Sequence, residues 1–396
     1  MKKRILLINK FYYRRGGDCV YVLNLESLLK SRGHDVAVYA MDYPENLPSE
    51  WSRYFPEEVD FGKDKVKGIE RIFGYGDIKT SFARILEDFR PDVVHLNNIH
   101  SYLSPVLAQM ASEYGAKVVW TLHDYKLVCP SYSCLIDGKV CEECFENPFA
   151  VVTKRCMKGS LPASLLAYAE ARKWNKEKLT EWTDVFLCPS RFMSLKMEEG
   201  GFPPTKLYHL YNFISPEMME FYSGSGVNVE RQDYYCYVGR LSTEKGIRTL
   251  LKVASGLPYE LRVAGTGPLE AELKKEFASC SNIKFLGHCG LEQVQDLFAN
   301  ARFSVAPSEW YENNPFSVIE SLCGGTPFVG ADIGGIPELA NNKNGIIFTS
   351  GDIKSLELAI DEAWNREWDY ASIQKNALEK FSPEQHYLAL DKIYSV

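Results

Sequence analysis

Short apolar runs recur along the chain, separated by longer stretches of mixed character, and this alternation predicts strands joined by helices in an α/β fold. Arg4–Asn9 opens the series as a strand buried on both faces, the mark of a parallel sheet. A helix follows from Asp18 to about Arg32, with Val20, Leu23 and Leu28 on its core side and Gly33 as its stop. Asp35–Tyr39 is the next strand, whereas Tyr43 to Asp77 shows no period and reads as irregular. A helix over Ile78–Phe89 then leads to strands at Asp92–Leu96, Lys117–Leu122, Asp184–Cys188 and Lys206–Tyr211. Ser223 to Val229 (SGSGVNV) is the most linker-like stretch and divides the chain. Beyond it the pattern restarts, with strands at Tyr234–Gly239, Leu261–Ala264, Ile283–His288, Phe303–Ala306 and Thr326–Val329. Helices are expected from Leu291, from Asn313–Pro315, from Asp352 and over Ser382–Val396. Two doubly wound, Rossmann-like domains follow from this pattern, 1–221 and 222–381, with a terminal helix over 382–396.

Composition adds limits. A length of 396 residues exceeds what one core supports, and 45% hydrophobic with 24% charged residues is the balance of a soluble globular protein. No apolar run approaches the roughly 20 residues of a membrane span. Met1-Lys-Lys-Arg leads straight into a strand, so cytoplasmic residence is expected, with most of the 11 cysteines reduced. A net charge of −7 argues against nucleic acid as a partner.

The densest candidate chemistry lies between Ala306 and Leu339. Asn is a strong N-cap and Pro suits a first helical position, so Asn313-Asn314-Pro315 starts a helix that Gly324-Gly325 ends. The N–H groups around Asn314, Pro315, Phe316 and Ser317, with the positive dipole end, suit a phosphate or a sugar hydroxyl. Glu312 sits just before the cap and Glu320 inside the helix. Upstream, Arg240 and Lys245 follow a strand end, where they read either as surface charges or as two cations able to neutralise a phosphate group without a metal. The chain holds no Asp-x-Asp, the usual carboxylate perch for a divalent ion. His123 ends a strand at the edge where open α/β sheets bind ligands, and it reads either as a ligand contact or as a packed imidazole. Gly16-Gly17 after the first strand reads either as a phosphate turn or as a simple tight turn.

Glu312 and Glu320, seven residues apart, with the flanks GGTPFV and GGIPEL, resemble the family 4 glycosyltransferases, retaining enzymes of the GT-B architecture. Gly239-Arg240-Leu241 through Lys245-Gly246, the segment TLHD around His123, and Asn212 are similar to the same family. Gly16-Gly17 resembles its GG-x-E, except that Cys19 stands where Glu is usual. The resemblance implies two domains facing a cleft, the second holding a nucleotide-diphosphate sugar (UDP-, GDP- or ADP-linked) and the first a glycan or lipid-linked acceptor. It assigns the ribose to Glu320, the donor sugar to Glu312 and His123, and the diphosphate to Arg240 and Lys245. It places the turns at Gly265, Gly267 and Gly287 along the nucleotide, and sends the terminal helix back to the first domain, with the break between Trp364 and Trp368 as the crossing. No catalytic cofactor is implied, and polysaccharide or glycolipid synthesis is the expected setting. A non-catalytic subunit of the same fold and a nicotinamide oxidoreductase are the rivals; the second lacks a G-x-G-x-x-G after the first strand.

Two further features stand outside the resemblance. Cys141-x-x-Cys144 is half of a tetrahedral zinc site, which Cys129 and Cys156 would complete as a structural centre, with Cys134 as a substitute. Lys154 to Lys178 carries seven basic residues against two acidic ones, next to a helix with Leu161, Leu165 and Tyr168 on one side. That pattern suits either peripheral contact with an anionic inner membrane face or a helix docked on its own domain with a solvated basic edge.

Overall fold

The computed structural model describes residues 2–227 and 230–395, so the end of the linker-like stretch, Asn228 and Val229, lies outside the described residues. The strands are β1 (Arg4–Ile8), β2 (Asp35–Tyr39), β3 (Val93–Leu96), β4 (Lys117–Thr121), β5 (Leu135–Ile136), β6 (Lys139–Val140), β7 (Val185–Cys188) and β8 (Leu207–His209). They continue with β9 (Tyr234–Val238), β10 (Glu260–Ala264), β11 (Ile283–Gly287), β12 (Ser304–Ala306), β13 (Phe328–Ala331) and β14 (Gly345–Phe348). Strands β5 and β6 form a small antiparallel hairpin. The others make two six-stranded parallel sheets, ordered β2-β1-β3-β4-β7-β8 and β11-β10-β9-β12-β13-β14. Each order reverses once, between β1 and β3 in the first sheet and between β9 and β12 in the second. At such a reversal neighbouring loops leave the carboxyl edge in opposite directions and open a crevice for ligand.

Two compact units contain these sheets. One comprises Met1–Cys134, Cys141–Tyr211 and His386–Val396; the other comprises Leu135–Val140 and Asn212–Gln385. The chain therefore leaves the first unit at Tyr211, and Pro216–Ser225, which carries the start of SGSGVNV, is a helix. The break between Trp364 and Trp368 lies inside the second unit. The terminal helix Pro383–Ser395 gives its larger part to the first unit. There His386 meets the Tyr21 hydroxyl at 3.2 Å and Tyr394 meets Nδ1 of His95 at 2.5 Å.

The span from Tyr43 to Asp77 is more regular than its sequence suggests. Lys65–Ile72 is a helix, with the Asp64 side chain accepting from the Lys67 N–H at 2.9 Å. Its eight residues include four charges and Gly68, too few apolar positions to show a period. The strand expected at Thr326–Val329 runs two residues later, because the Thr326 N–H is spent on the Ser321 carbonyl at the end of the preceding helix, at 2.9 Å, and Pro327 has no N–H to give to a ladder.

In the second unit Tyr235, Leu250, Leu261, Val263, Phe303, Leu356 and Ile360 pack as one core. Phe303 stacks on Tyr235 with ring centroids 5.1 Å apart and directly precedes β12, so it holds the strand that carries the site loop. Phe303→Ala should cost about 3–5 kcal/mol. Guanidinium unfolding followed by tryptophan fluorescence checks this, and a loss under about 1 kcal/mol would show that the ring does not hold the core.

Candidate functional site

The loops that leave β9 and β12 at the second sheet's reversal bring Lys245 and Glu312 together. Lys245 Nζ lies 2.6 Å from Glu312 Oε1. The Ser308 hydroxyl donates to the same oxygen at 2.7 Å and the Trp310 indole N–H at 2.9 Å. Burial alone would raise the Glu312 carboxyl, but the Lys245 ammonium and the three hydrogen bonds outweigh it, and the pKa falls below the ordinary carboxylate value. Glu312 is therefore ionised at neutral pH. All three donors converge on Oε1, which leaves Oε2 free to accept from a ligand. Lys245 also lies 5.2 Å from the Trp310 ring centroid. Spacing alone did not predict this ion pair. Arg240, by contrast, is exposed and has no ion-pair partner among the described residues.

Backbone contact makes the pair possible. Gly246 follows Lys245 with φ at +64°, and a Cβ there would stand 1.8 Å from the Pro307 carbonyl oxygen. The Glu309 N–H donates to the Glu244 carbonyl at 2.9 Å, fastening the two loops. On the far side, the Gly335 N–H donates to the Glu312 carbonyl at 2.7 Å. A Cβ on Gly334 would meet that same carbonyl oxygen at 2.3 Å, so the glycine pair of GGIPEL seats Glu312. Gly265 and Gly267 have a similar role, since added Cβ atoms would meet the Gly239 and Leu241 carbonyl oxygens at 1.9 and 2.4 Å. The Gly265 N–H donates to the Gly287 carbonyl at 2.7 Å, so the turns after β9, β10 and β11 lie side by side. Gly265 and Gly267 thus answer to packing between loops, whereas Gly287 has open space around it and a φ of +72°.

The helix starts later than its sequence suggests. It runs over Phe316–Cys323 with Pro315 as the cap residue in extended conformation. Asn314 is committed elsewhere: its Oδ1 accepts from the Asn212 N–H and its carbonyl from the Asn212 side chain, both at 2.8 Å. Two asparagines thus bind each other, and neither side chain caps the helix. Phe316 and Ser317 form its first turn, and Glu320 is half-buried one turn in.

In the first unit, His123 ends the strand segment after β4, and its Nε2 lies 3.0 Å from Asn97 Oδ1. The Asn97 amide donates to the Ile8 carbonyl at 3.2 Å, which fixes Oδ1 as the acceptor and puts the imidazole proton on Nε2. Burial lowers the His123 pKa against the opposing Asp18 and Asp124 charges, so the ring is neutral with Nδ1 as a lone-pair acceptor. His100 is packed instead, stacked on Trp120 with centroids 5.4 Å apart and its pKa pushed down to about 3 by burial. Gly16 is the extended cap of the helix Gly17–Ser31. A Cβ there would meet only Asp18, so the turn stays open. Cys19, where glutamate was expected, points at the Asn9 amide, 3.6 Å away.

The cysteine loop does not form the zinc site expected of Cys129, Cys141, Cys144 and Cys156. Among the described residues no three or more His, Cys, Asp or Glu stand where they could hold a metal ion. Cys129 instead accepts hydrogen bonds from Cys134 and Cys144, which hold its thiol below the usual range and raise theirs. Cys141 has the Lys154 ammonium 3.7 Å from its sulfur, a charge that opposes a metal cation. Among the described residues no helix is long and apolar enough to cross a membrane.

Two doubly wound parallel sheets, each with its loops gathered at an order reversal, define a GT-B fold. The profile of "Glycosyltransferase Family 4" matches residues 15–218, and that of "Glycosyl transferases group 1" matches residues 219–380. The chain belongs to glycosyltransferase family 4 and is a glycosyltransferase. It is 26% identical over 377 residues to an uncharacterized 42.6 kDa protein in the cps region of Klebsiella pneumoniae, covering 90% of this chain and 93% of that one. It is 27% identical over 216 residues to the O-antigen biosynthesis glycosyltransferase WbnH of Escherichia coli, covering 53% and 60%. Among solved structures it is similar to Anabaena HepE in complex with UDP and glucose, with a TM-score of 0.64 and 16% identity over 99% of each chain.

Lys245→Ala would leave the buried Glu312 carboxylate unpaired and should cost a few kcal/mol near neutral pH. In the wild type the lowered pKa contributes stability above the unfolded carboxylate value, and this is lost as pH falls through the folded value. In the variant burial dominates and the pKa rises, so the carboxyl protonates and the penalty shrinks on acidification. Denaturant midpoints of both proteins between pH 8 and 5 test this. A difference that stays constant or widens toward pH 5 would refute the coupling.

Proposed function

We propose that the second unit binds a nucleotide-diphosphate sugar at the β9–β12 reversal, and that the enzyme moves the sugar to an acceptor hydroxyl with retained configuration and no metal. The observation that carries this reading is Glu312, ionised, clamped through Oε1 and open at Oε2. A carboxylate held in that way can grip sugar hydroxyls without drifting onto the anomeric carbon. Arg240 and Lys245 offset charge on the departing diphosphate, and the first N–H groups of the helix Phe316–Cys323 face a ligand oxygen. Glu320 takes the ribose hydroxyls. His123 accepts a sugar hydroxyl through Nδ1. The anomeric carbon–phosphate oxygen bond breaks as the acceptor oxygen attacks the same face, and the acceptor proton passes to the leaving phosphate. The first unit receives the acceptor. HepE, crystallised with UDP and glucose, supports a uridine donor, and WbnH supports a surface-glycan setting.

Arg240→Ala should lower turnover on the order of a hundredfold, with wild-type activity surviving EDTA. Glu320→Ala should mainly raise KM for the nucleotide sugar, while Glu312→Gln should lower kcat. A thermal-shift screen of UDP, GDP and ADP selects the base. NMR of the first-formed product reads its configuration, and an inverted product would end the retaining reading.

We also propose that the helix Leu161–Lys173 meets an anionic lipid surface. Leu161, Leu165 and Phe149 are exposed, and the Phe149 ring meets Tyr168 edge-on at 5.2 Å. Arg155, Lys158 and Arg172 are exposed beside them, whereas Lys173 is drawn inward onto the Phe73 carbonyl. Each free cation contributes about 1 kcal/mol at most, so binding is weak and salt-sensitive. The wild type should sediment with phosphatidylserine vesicles at low salt, and a variant with Arg155, Lys158 and Arg172 changed to Glu should not. Wild-type protein left in the supernatant would remove the membrane from the reading.

A further inference from the structure

The first sheet reverses its order between β1 and β3, and the segments that follow β1, β2 and β3 line an open cavity of about 310 Å³. Its walls are aromatic. Phe11, from the loop after β1, lies 5.3 Å from Tyr43 and 6.2 Å from Tyr102 by ring centroids, and Phe61 meets Tyr102 edge-on at 5.1 Å. Phe11 is buried, while Tyr43, Phe61 and Tyr102 are half-buried. Polar groups stand at the mouth. Arg15 lies over Phe11 at 4.3 Å, and Glu58 and Asp60 are exposed on the opposite wall. Burial and the neighbouring Glu58 charge push the Tyr43 phenol up to about 12, so it remains a neutral donor.

A buried cation holds this arrangement. The Arg71 side chain is 1% exposed. Its guanidinium donates to the Tyr102 carbonyl at 3.1 Å and the Glu57 carbonyl at 3.2 Å, and pairs with Asp77 at 2.7 Å. One side chain thus ties the Tyr102 wall to the segment that carries Glu58, Asp60 and Phe61. Burying a guanidinium is costly, and here the cost is offset by the Asp77 carboxylate and the two carbonyl acceptors.

We propose that this cavity is the acceptor subsite and that it binds an uncharged sugar ring of the acceptor glycan. The proposal rests on the reading of the first unit as the acceptor-binding one. Sugar rings present a C–H face and an edge of hydroxyls. Aromatic walls take the face, and carboxylates, a guanidinium and a phenol take the edge. Asp60 is paired with Lys63 at 3.3 Å, which leaves Glu58 and Arg15 as the opposite charges at the mouth, so a uronic acid or a phosphate would have to compete with Glu58 for the arginine. Arg71 is a positioning residue and touches no sugar.

Saturation-transfer NMR tests the subsite with methyl glucoside, methyl galactoside and methyl N-acetylglucosaminide as neutral probes and methyl glucuronide as the charged one. At least one neutral probe should receive saturation at its ring C–H protons, and the glucuronide much less. Tyr102→Ala and the milder Phe61→Leu should weaken the neutral signal about three- to tenfold, the worth of one aromatic contact. Stabilisation of the same variants by UDP, GDP or ADP should match the wild type. No neutral signal, an equal glucuronide signal, or signals unchanged in both variants would overturn the subsite. Sugar binding without stabilisation by any nucleotide would support the subsite and defeat the donor reading instead.

Discussion

The second unit depends on how closely its loops approach at the carboxyl edge of the sheet. Lys245 reaches Glu312 only because Gly246 lets its loop rest on the Pro307 carbonyl, and Glu312 is aimed only because Gly334 lies against its backbone. An ion pair half-sheltered from water costs desolvation on both sides and is worth having where the geometry is exact to a few tenths of an ångström. Glycine supplies that geometry at no steric cost, at the expense of entropy in the unfolded chain. The charge that would act on a sugar is thus set by residues that carry no chemistry.

The fold was largely legible because parallel strands buried on both faces must be apolar throughout, and runs such as RILLI and YYCYV cannot easily be anything else. The short helix Lys65–Ile72 escaped because half of its residues are charged, and a period needs more apolar positions than it has. The helix start was misplaced for a different reason. Asn314 has the right chemistry for a cap, but its side chain is bound by Asn212, and sequence carries no sign of a partner about 100 residues away.

At the site, Arg240, Lys245, Glu312 and Glu320 were visible as residue types in a pattern, yet their relationships were not. That Lys245 and Glu312 neutralise each other depends on two loops crossing, which no spacing encodes. The cysteines teach the converse. A C-x2-C spacing describes what two thiols could do near a metal, but Cys134 and Cys144 both donate to Cys129, and a lysine stands at Cys141. The aromatic cavity left the faintest trace of all, because Phe11, Tyr43, Phe61 and Tyr102 come from the connections after three different strands and share no period.

The terminal helix bears on how the protein is made. His386 closes onto the Tyr211 carbonyl, 175 positions earlier in the chain, and Tyr394 onto His95. During synthesis the first sheet is complete in sequence long before these partners emerge. At about 5–20 residues per second the interval is roughly 10–35 s. Through that time Nε2 of His34 and Nδ1 of His95 lack the tyrosine hydroxyls they bond in the finished chain, while the second unit is translated. A nascent chain in that state exposes the surface that the helix will cover.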